Sequence, residues 1–337
     1  MTGHPLRLAV LGAGDMGAQH AAAWHALGHR LVVVADADAE RAARLACEHG
    51  FERMTVDYRE AATAADVDVV VIALPRHLHA PATILAAEHE KHVLTEKPLC
   101  RSFAEADAME AAVRRAGTVF GVGFQRNLAE GVSLLRGWAA AGRFGHPLVF
   151  SSDLLQTVRP KPGMMDRDGN GGPLVDAGCH YYLLWETVFR SRAQNVFARG
   201  GILANQQPET IGVRRLPVDT AAVTVEYESG DLAAFTVSWG LRTGLGLRGR
   251  PDRLIGPLGG AEGAVNGGLE VWDGPEPCRV EIEPRDLHRV EAELFAAAVH
   301  GGPPFPTGFR EGREVLAVTE AVFRSLQTGR PAQVREA

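Results

Sequence analysis

The chain has 337 residues, a length that predicts about two domains, and its composition (46% apolar, 23% charged) is ordinary for a globular protein. Its net charge of −6 gives no electrostatic reason to expect binding to nucleic acid or to an anionic membrane surface. No apolar run approaches the roughly 18 residues of a transmembrane helix, so we expect no membrane span.

The N-terminus and the cysteines bear on the compartment. The first residues lack the charged leader and long apolar region of a secretory signal, so we expect no such signal. Four well-separated cysteines without a Cys-x-x-Cys predict neither a zinc site nor a disulfide framework. Thiols scattered in this way are typical of a reducing compartment, and we therefore expect a cytoplasmic protein with no bound metal.

Strand-like and helix-like segments alternate along the first 125 residues. Strands are predicted at residues 8–11, 31–35, 67–74, 92–95 and 119–124, and helices at 18–27, 38–48, 81–87 and 103–116. This alternation is typical of βαβ units, and the almost continuously apolar strands predict a parallel sheet covered on both faces. The first domain is therefore assigned to residues 1–125.

The pattern changes after residue 125. Strands are predicted at residues 147–158, 221–228, 231–239, 268–272 and 279–282, and helices at 173–189, 287–300 and 311–328. Ser229-Gly230 separates two of these strands and predicts an antiparallel hairpin. The glycine- and arginine-rich residues 241–257 are interpreted as a solvated loop. The second domain, residues 126–337, is thus α+β, with a last helix that could pack back on the first domain.

A glycine-rich loop joins the first predicted strand to the first helix. It reads Gly12-Ala-Gly14-Asp15-Met16-Gly17. In that context the first glycine permits a tight turn, the second lets the backbone approach a pyrophosphate, and the third allows close packing of helix on strand. The helix N-terminus then offers unpaired N–H groups to the phosphates. The alternative is a glycine-rich turn with no ligand.

The second predicted strand ends at Asp36, 19 residues after the last glycine of the loop. An acid at this place is expected to accept hydrogen bonds from the hydroxyl groups of the adenosine ribose. Asp36 would repel a 2′-phosphate, and Ala37 offers no side chain to bind one. The sequence therefore favours NAD over NADP.

Two polar stretches follow predicted strands, where parallel sheets carry their ligand crevice. The first is Leu74-Pro75-Arg76-His77-Leu78-His79, and the second is Glu96-Lys97-Pro98. A lysine beside a nicotinamide could bond a substrate oxygen and help to move its proton. The alternative is a surface Glu–Lys pair before a helix.

A third stretch, Gly171-Gly172-Pro173-Leu-Val-Asp176-Ala-Gly-Cys-His180, opens a predicted helix. Proline suits the first helical position, and Asp176 and His180, four residues apart, would share one helix face. A carboxylate and an imidazole so placed can form an oriented acid–base pair. The alternative is a helix-surface ion pair.

These motifs together resemble the glucose-fructose oxidoreductase / inositol dehydrogenase / MocA family, abbreviated Gfo/Idh/MocA. The resemblance covers nearly the whole length. It rests on Val10-Leu-Gly-Ala-Gly-Asp-Met-Gly17 with His20, Leu74-Pro75 with His79, Lys91-His-Val-Leu-Thr-Glu96-Lys97-Pro98-Leu99, Val122-Gly-Phe-Gln125-Arg126, Gly171-Gly172 with Asp176 and His180, Val218-Asp219-Thr220-Ala-Ala-Val-Thr224, and Gly329-Arg330-Pro331.

The resemblance implies an N-terminal Rossmann domain and a C-terminal domain with an open, mainly antiparallel sheet. It also implies a set of site residues. The catalytic and substrate-binding set is Lys97, Asp176 and His180, with Arg126 near the substrate; the cofactor-binding set is Gly12, Gly14, Asp15, Met16, Gly17, Asp36, Leu74, Pro75, His79, Glu96 and Gln125. The family often has the peptide bond before Pro98 in the cis form. Leu183 departs from the acid that many members carry three residues after the helix histidine.

The resulting hypothesis is an NAD-dependent dehydrogenase or reductase acting on a small polyhydroxylated substrate such as a sugar or cyclitol. Residues 159–170 and the segment around Trp239 are expected to help line the substrate pocket. Two alternatives stay open, a redox-neutral enzyme that retains its NAD to cleave or epimerise a sugar, and a non-catalytic NAD-binding sensor. The family resemblance also predicts a homo-oligomer formed through the exposed face of the C-terminal sheet, with Ala222, Thr224, Glu226, Ala234, Thr236 and Ser238 on that face.

Overall fold

A computed structural model describes residues 4–159, 161 and 163–335 of the chain. Pro160 and Pro162 of the predicted pocket loop, and the first three residues considered for a secretory signal, lie outside the described residues. Within that described part, no helix is both long and apolar enough to cross a membrane.

The described residues form two compact units. The first contains the described residues up to Gln125 together with Asp286–Arg313, and the second contains Arg126–Arg285 and the described residues from Glu314 onward. The change of pattern after residue 125 predicts residues 286–313 in the second domain. They belong to the first unit because their helix packs Ala292, Phe295 and Ala296 into the same apolar cluster as Trp24.

Fifteen strands occur among the described residues. They are β1 (Arg7–Leu11), β2 (Arg30–Ala35), β3 (Arg53–Thr55), β4 (Val69–Ile72), β5 (His92–Glu96), β6 (Phe120–Gly123), β7 (Val149–Thr157), β8 (Ala193–Gly201), β9 (Thr220–Tyr227), β10 (Leu232–Leu241), β11 (Asp252–Gly256), β12 (Gly259–Ala264), β13 (Gly268–Trp272), β14 (Cys278–Val280) and β15 (Ala332–Gln333).

Ten α-helices accompany them in the described part of the chain. They are α1 (Asp15–Ala26), α2 (Ala39–His49), α3 (Tyr58–Thr63), α4 (His79–Glu88), α5 (Phe103–Ala116), α6 (Glu130–Ala140), α7 (Pro173–Asp176), α8 (Gly178–Phe189), α9 (Leu287–Val299) and α10 (Phe309–Thr328).

The first unit contains a six-stranded parallel sheet with the order β3-β2-β1-β4-β5-β6. Two apolar clusters pack against its central strands, which confirms a sheet covered on both faces. The order reverses direction on either side of β1, so the carboxyl ends of β1 and β4 meet at a topological switch point. The glycine loop follows β1. Glu96 is the last residue of β5, the strand beside β4, and Lys97-Pro98 comes directly after it.

The second unit contains a nine-stranded, mostly antiparallel sheet in the order β14-β13-β12-β11-β7-β10-β9-β8-β15. The hairpin of β9 and β10 forms as expected, while β7 and β10 pair in parallel. One face is solvent-exposed, and most residues predicted for it lie there. Ser238 is an exception, because its hydroxyl lies 2.8 Å from that of Thr220 and the side chain is buried.

Two predictions for the second unit were wrong in detail. The helix expected over residues 173–189 is broken at Ala177 into α7 and α8. The solvated loop expected over residues 241–257 contains β11, which pairs with both β7 and β12. β11 has only two apolar side chains, and its strand conformation comes from that pairing.

Candidate active site

The glycine loop has the geometry that its spacing predicts. Gly12 has a φ of +100°, and a Cβ there would lie 2.4 Å from the carbonyl oxygen of Ala73. A Cβ on Gly17 would lie 1.9 Å from the carbonyl oxygen of Gly12. At Gly14, by contrast, a Cβ would meet no atom within 4 Å. The first and last glycines are thus required by packing, whereas the middle one faces open space, as a site for a pyrophosphate demands.

Asp36 extends from the end of β2 toward the glycine loop. Its Oδ2 accepts a hydrogen bond of 2.9 Å from the backbone N–H of Ala13, and its Oδ1 accepts one of 2.9 Å from Asp38. These bonds hold the carboxylate beside the loop, with its remaining lone pairs available to ribose hydroxyls. The residues of this loop and strand end therefore fit a dinucleotide.

The side chain of His79 links two loops of the first unit. Its Nε2 lies 2.9 Å from the carbonyl oxygen of Leu74, and its Nδ1 lies 2.9 Å from that of Pro98. Burial lowers the pKa of His79, although the two carbonyls oppose this effect. The buried ring therefore connects the loop of Leu74 and Pro75 with the Lys97–Pro98 segment.

Glu96 and Lys97 lie at the carboxyl end of β5. Glu96 is 4% exposed, and its Oε1 lies 2.9 Å from His20 Nε2 on α1. The backbone N–H of Lys97 donates to Glu96 Oε2 at 3.2 Å. Burial alone would raise the pKa of Glu96, but the hydrogen bond and charge of His20 outweigh it and lower the pKa to about 2. Glu96 is thus a buried carboxylate that holds the backbone of Lys97.

Pro98 adds a feature that was expected from the family resemblance. The Lys97–Pro98 peptide bond is cis, which confirms that expectation. Lys97 itself is half-buried.

Sequence reasoning missed two further residues of this region, His288 and Glu291 on α9. His288 Nε2 lies 3.1 Å from Gln125 Nε2, and its ring packs edge-on against that of His20. Glu291 is completely buried. A signal was available, since Glu291 lies four residues before Phe295 and hence on the apolar face of the predicted helix.

Asp176 and His180 lie on either side of the break between α7 and α8. Gly172 has a φ of +73°, and Pro173 takes the first helical position as predicted. Asp176 is 7% exposed, and its Oδ1 accepts a bond of 3.4 Å from Asn170. Asp176 is the last residue of α7, and His180 lies in the first turn of α8. The two side chains therefore do not share one face of a single helix, contrary to the prediction from the sequence.

Arg126, which is partly exposed, forms a polar network with buried partners in the second unit. Its guanidinium pairs with Asp252 and lies 4.5 Å from the ring centroid of Tyr181. Asp252 also accepts a hydrogen bond of 2.7 Å from Ser152. The family resemblance implies that Arg126 lies near the substrate. Its guanidinium is already paired with Asp252, so any contact with a substrate would be made by a group whose position Asp252 fixes.

The expected pocket loop packs onto the region of Asp176. Met165 of this loop is completely buried in a cluster with Ala177 and Trp239. The guanidinium of Arg159 lies 5.1 Å from the centroid of the Trp239 ring. The described part of the loop and Trp239 are therefore anchored beside the break that carries Asp176.

Comparison with known proteins identifies the family. Residues 6–124 match the model of an oxidoreductase family with an NAD-binding Rossmann fold, and residues 132–252 match the Gfo/Idh/MocA C-terminal domain. The chain is 36% identical to inositol 2-dehydrogenase 4 of Saccharopolyspora erythraea over 98% of this chain and 96% of that protein. The chain belongs to the Gfo/Idh/MocA oxidoreductase family.

Two other similar proteins are consistent with this assignment. The myo-inositol 2-dehydrogenase of Thermotoga maritima is 24% identical over 98% of this chain and 99% of its own length. A structure of levoglucosan dehydrogenase in complex with NADH superposes with a TM-score of 0.86 at 23% identity, covering 99% of this chain and all of that one, and shows the shared fold. The protein is thus a dehydrogenase or reductase of this NAD-binding family.

Proposed function

We propose that the protein uses NAD to transfer a hydride to or from a hydroxyl-bearing carbon of a sugar, a cyclitol or a related polyol. The observation that carries the proposal is the placement of Lys97 at the carboxyl end of β5, its backbone held by the buried Glu96 in a sheet whose glycine loop fits a dinucleotide. Relatives named as inositol dehydrogenases support the substrate class.

The choice of NAD over NADP rests on Asp36. Its carboxylate is held beside the glycine loop, where it can bond a ribose diol and would repel a 2′-phosphate. Arg41, the nearest basic side chain along α2, is bonded to Asp38 at 3.1 Å. When bound, NAD supplies the carbon that accepts or donates the hydride.

The protein's own residues handle the proton and the developing charge. In the oxidative direction His180 takes the hydroxyl proton, and Asp176 keeps the imidazole oriented. Lys97 bonds the same substrate oxygen and stabilises the negative charge that develops on it. In the alternative assignment Lys97 is the base. The kcat of a His180→Ala variant distinguishes the two, because it should fall strongly only if His180 is the base.

The test is a screen of cyclitols, aldoses and sugar acids for NAD reduction, in which the formation of NADH is measured by its absorbance. We expect at least one polyol to give steady NADH release that depends on Lys97. Turnover of a glycoside or epimerisable sugar without net NADH release would contradict the proposal and favour a redox-neutral reaction. The Lys97→Ala variant is the control for background reduction.

A further inference from the structure

A buried group of titratable side chains lies where β5 and β6 end. Glu96 is the last residue of β5, opposite Gly123 at the end of β6. Because Gly123 has no side chain, two carboxyl groups approach its Cα. An atom at its Cβ position would lie 3.4 Å from Glu291 Oε1 and 3.5 Å from Glu96 Oε1. The two carboxyl groups therefore converge on one buried point.

The two carboxyl groups differ in their hydrogen bonds. Glu96 accepts from the backbone N–H of Lys97 and is bonded to His20. Neither oxygen of Glu291 has a hydrogen-bond partner within the part of the chain that the structure describes. The environment therefore stabilises a negative charge on Glu96 and offers no such stabilisation to Glu291.

Two carboxylates in one buried space repel each other, and each loses its hydration, so such a pair keeps a proton. The proton settles on the group that lacks partners for its charge. We propose that Glu291 is a neutral carboxylic acid at neutral pH, and that its proton allows Glu96 to carry the charge that positions Lys97. Glu291 is thus a positioning residue, and its effect on catalysis rests on the proposed function.

The other groups around the pair are consistent with this assignment. Among the described residues, the charged or titratable side chains that interact with Glu96 are His20 on α1, His79 on α4, Lys97 after β5, and His288 on α9, whose ring lies 4.0 Å from Asp286. Burial and the nearby His20 lower the pKa of His288. Burial and then the charge of Glu96 raise the pKa of Glu291 well above its usual value. A second negative charge on Glu291 would face the charge of Glu96, with no hydrogen bond of its own among the described residues to stabilise it.

The proton on Glu291 should make the stability of the fold depend on pH. This effect can be measured without cofactor or substrate. An acid whose pKa is higher in the folded than in the unfolded state stabilises the fold less and less as the pH rises above its usual pKa of 4.5. For each pH unit in this range the folding equilibrium constant falls by up to about tenfold, until the pH exceeds the pKa of Glu291 in the folded state. Glu291→Gln cannot ionise, so this loss should vanish in that variant.

The experiment compares wild type, Glu291→Gln and Glu293→Gln by denaturant unfolding between pH 5 and pH 9. Glu293 is the matched control, because it lies on the same helix but is partly exposed and pairs with Arg289 at 3.3 Å. We expect Glu291→Gln to gain stability over wild type progressively with pH, and Glu293→Gln to follow the wild-type profile. A profile for Glu291→Gln that is parallel to wild type would overturn the proposal.

A second measurement does not depend on that variant folding. In wild type labelled with carboxyl-¹³C glutamate, one side-chain resonance should show the chemical shift of a protonated acid at pH 7. Its absence would overturn the proposal. A screen that finds no NAD-dependent substrate would refute the proposed function while leaving these two results intact.

The same variants give the catalytic readout once a substrate is known. Glu291→Gln should keep near-normal kcat at neutral pH and lose the part of the alkaline decline that ionisation of Glu291 causes. Equal pH profiles for wild type and Glu291→Gln would contradict the positioning role.

Discussion

The Asp36 carboxylate accepts a hydrogen bond from the backbone N–H of Ala13, 23 residues earlier in the chain, at 2.9 Å. The acid expected to select the cofactor therefore also fixes the loop that receives it. A change at this residue should alter both functions together.

Cofactor preference should follow Asp36. Wild type should bind NAD more tightly than NADP, and Asp36→Ser with Ala37→Arg should shift the ratio of the two dissociation constants toward NADP. Absolute NAD affinity should also fall, because serine is too short to reproduce the bond to Ala13. Glu40→Gln is the control, because it removes an exposed carboxylate from the first turn of the same helix and should leave the ratio unchanged. A wild type that prefers NADP would refute the role of Asp36.

Substitutions at two glycines of the loop should have different effects, one on cofactor binding and the other on the stability of the fold. Gly14→Ala should fold with wild-type stability, because its Cβ meets no atom within 4 Å, but should bind NAD at least about tenfold more weakly by obstructing the pyrophosphate. Gly17→Ala should lower the unfolding temperature, because its Cβ would lie 1.9 Å from the carbonyl oxygen of Gly12. Thermal unfolding and NADH titration of the two variants check this contrast. Normal NADH affinity in Gly14→Ala would be incompatible with the proposed cofactor position.

Catalysis should depend on Lys97 and His180 more than cofactor binding does. Each acts on a proton or charge that exists mainly in the transition state, so Lys97→Ala and His180→Ala should each lower kcat on the order of 10²-fold or more with little change in NAD affinity. Asp176→Asn should cost less than His180→Ala, and the effects of the two should not add. Steady-state kinetics measure this, with His25→Ala as an exposed histidine control.

The pH dependence of kcat should report the protonation of the base at this site, His180 or Lys97. In the oxidative direction kcat should rise with pH as the base loses its proton, and this rise should disappear in the variant that lacks the base. Near-normal turnover in His180→Ala would move the base role to Lys97. Near-normal turnover in both single variants would remove the catalytic assignment altogether.

Self-association should use the exposed face of the nine-stranded sheet. Phe197 and Leu232 lie on that face opposite Thr224 and Glu226, and each is 40% exposed. Phe197→Glu with Leu232→Arg should reduce the mass in solution to that of a monomer, because charges replace the apolar contacts of an interface. Ile211→Glu, at a residue outside the sheet that is 80% exposed, is the control. A monomeric wild type at micromolar concentration would contradict this prediction.

Local patterns were enough for the strongly patterned elements and for the position of the candidate site motifs. The glycine loop, Asp36 and Glu96-Lys97-Pro98 could be located because each follows an apolar strand, and parallel strands bring such ends to one edge of a sheet. The hairpin of β9 and β10 was predictable for a different reason, since Ser229-Gly230 between two strands of alternating polarity favours a tight turn. Weaker elements such as β3 and β11 were missed, because pairing partners and not their own residues make them strands.

The sequence by itself indicated the family and the alternation of strands and helices in the first domain, and it located the glycine loop, Asp36 and Glu96-Lys97-Pro98 at the ends of strands. Only the tertiary structure decided which charges are neighbours. Asp252 stabilises Arg126 across 126 residues, and Glu291 approaches Glu96 from a helix near the other end of the chain. The physical reason is that burial and the field of neighbouring charges set the protonation of a carboxyl group, and both depend on contacts that no local pattern of residues encodes.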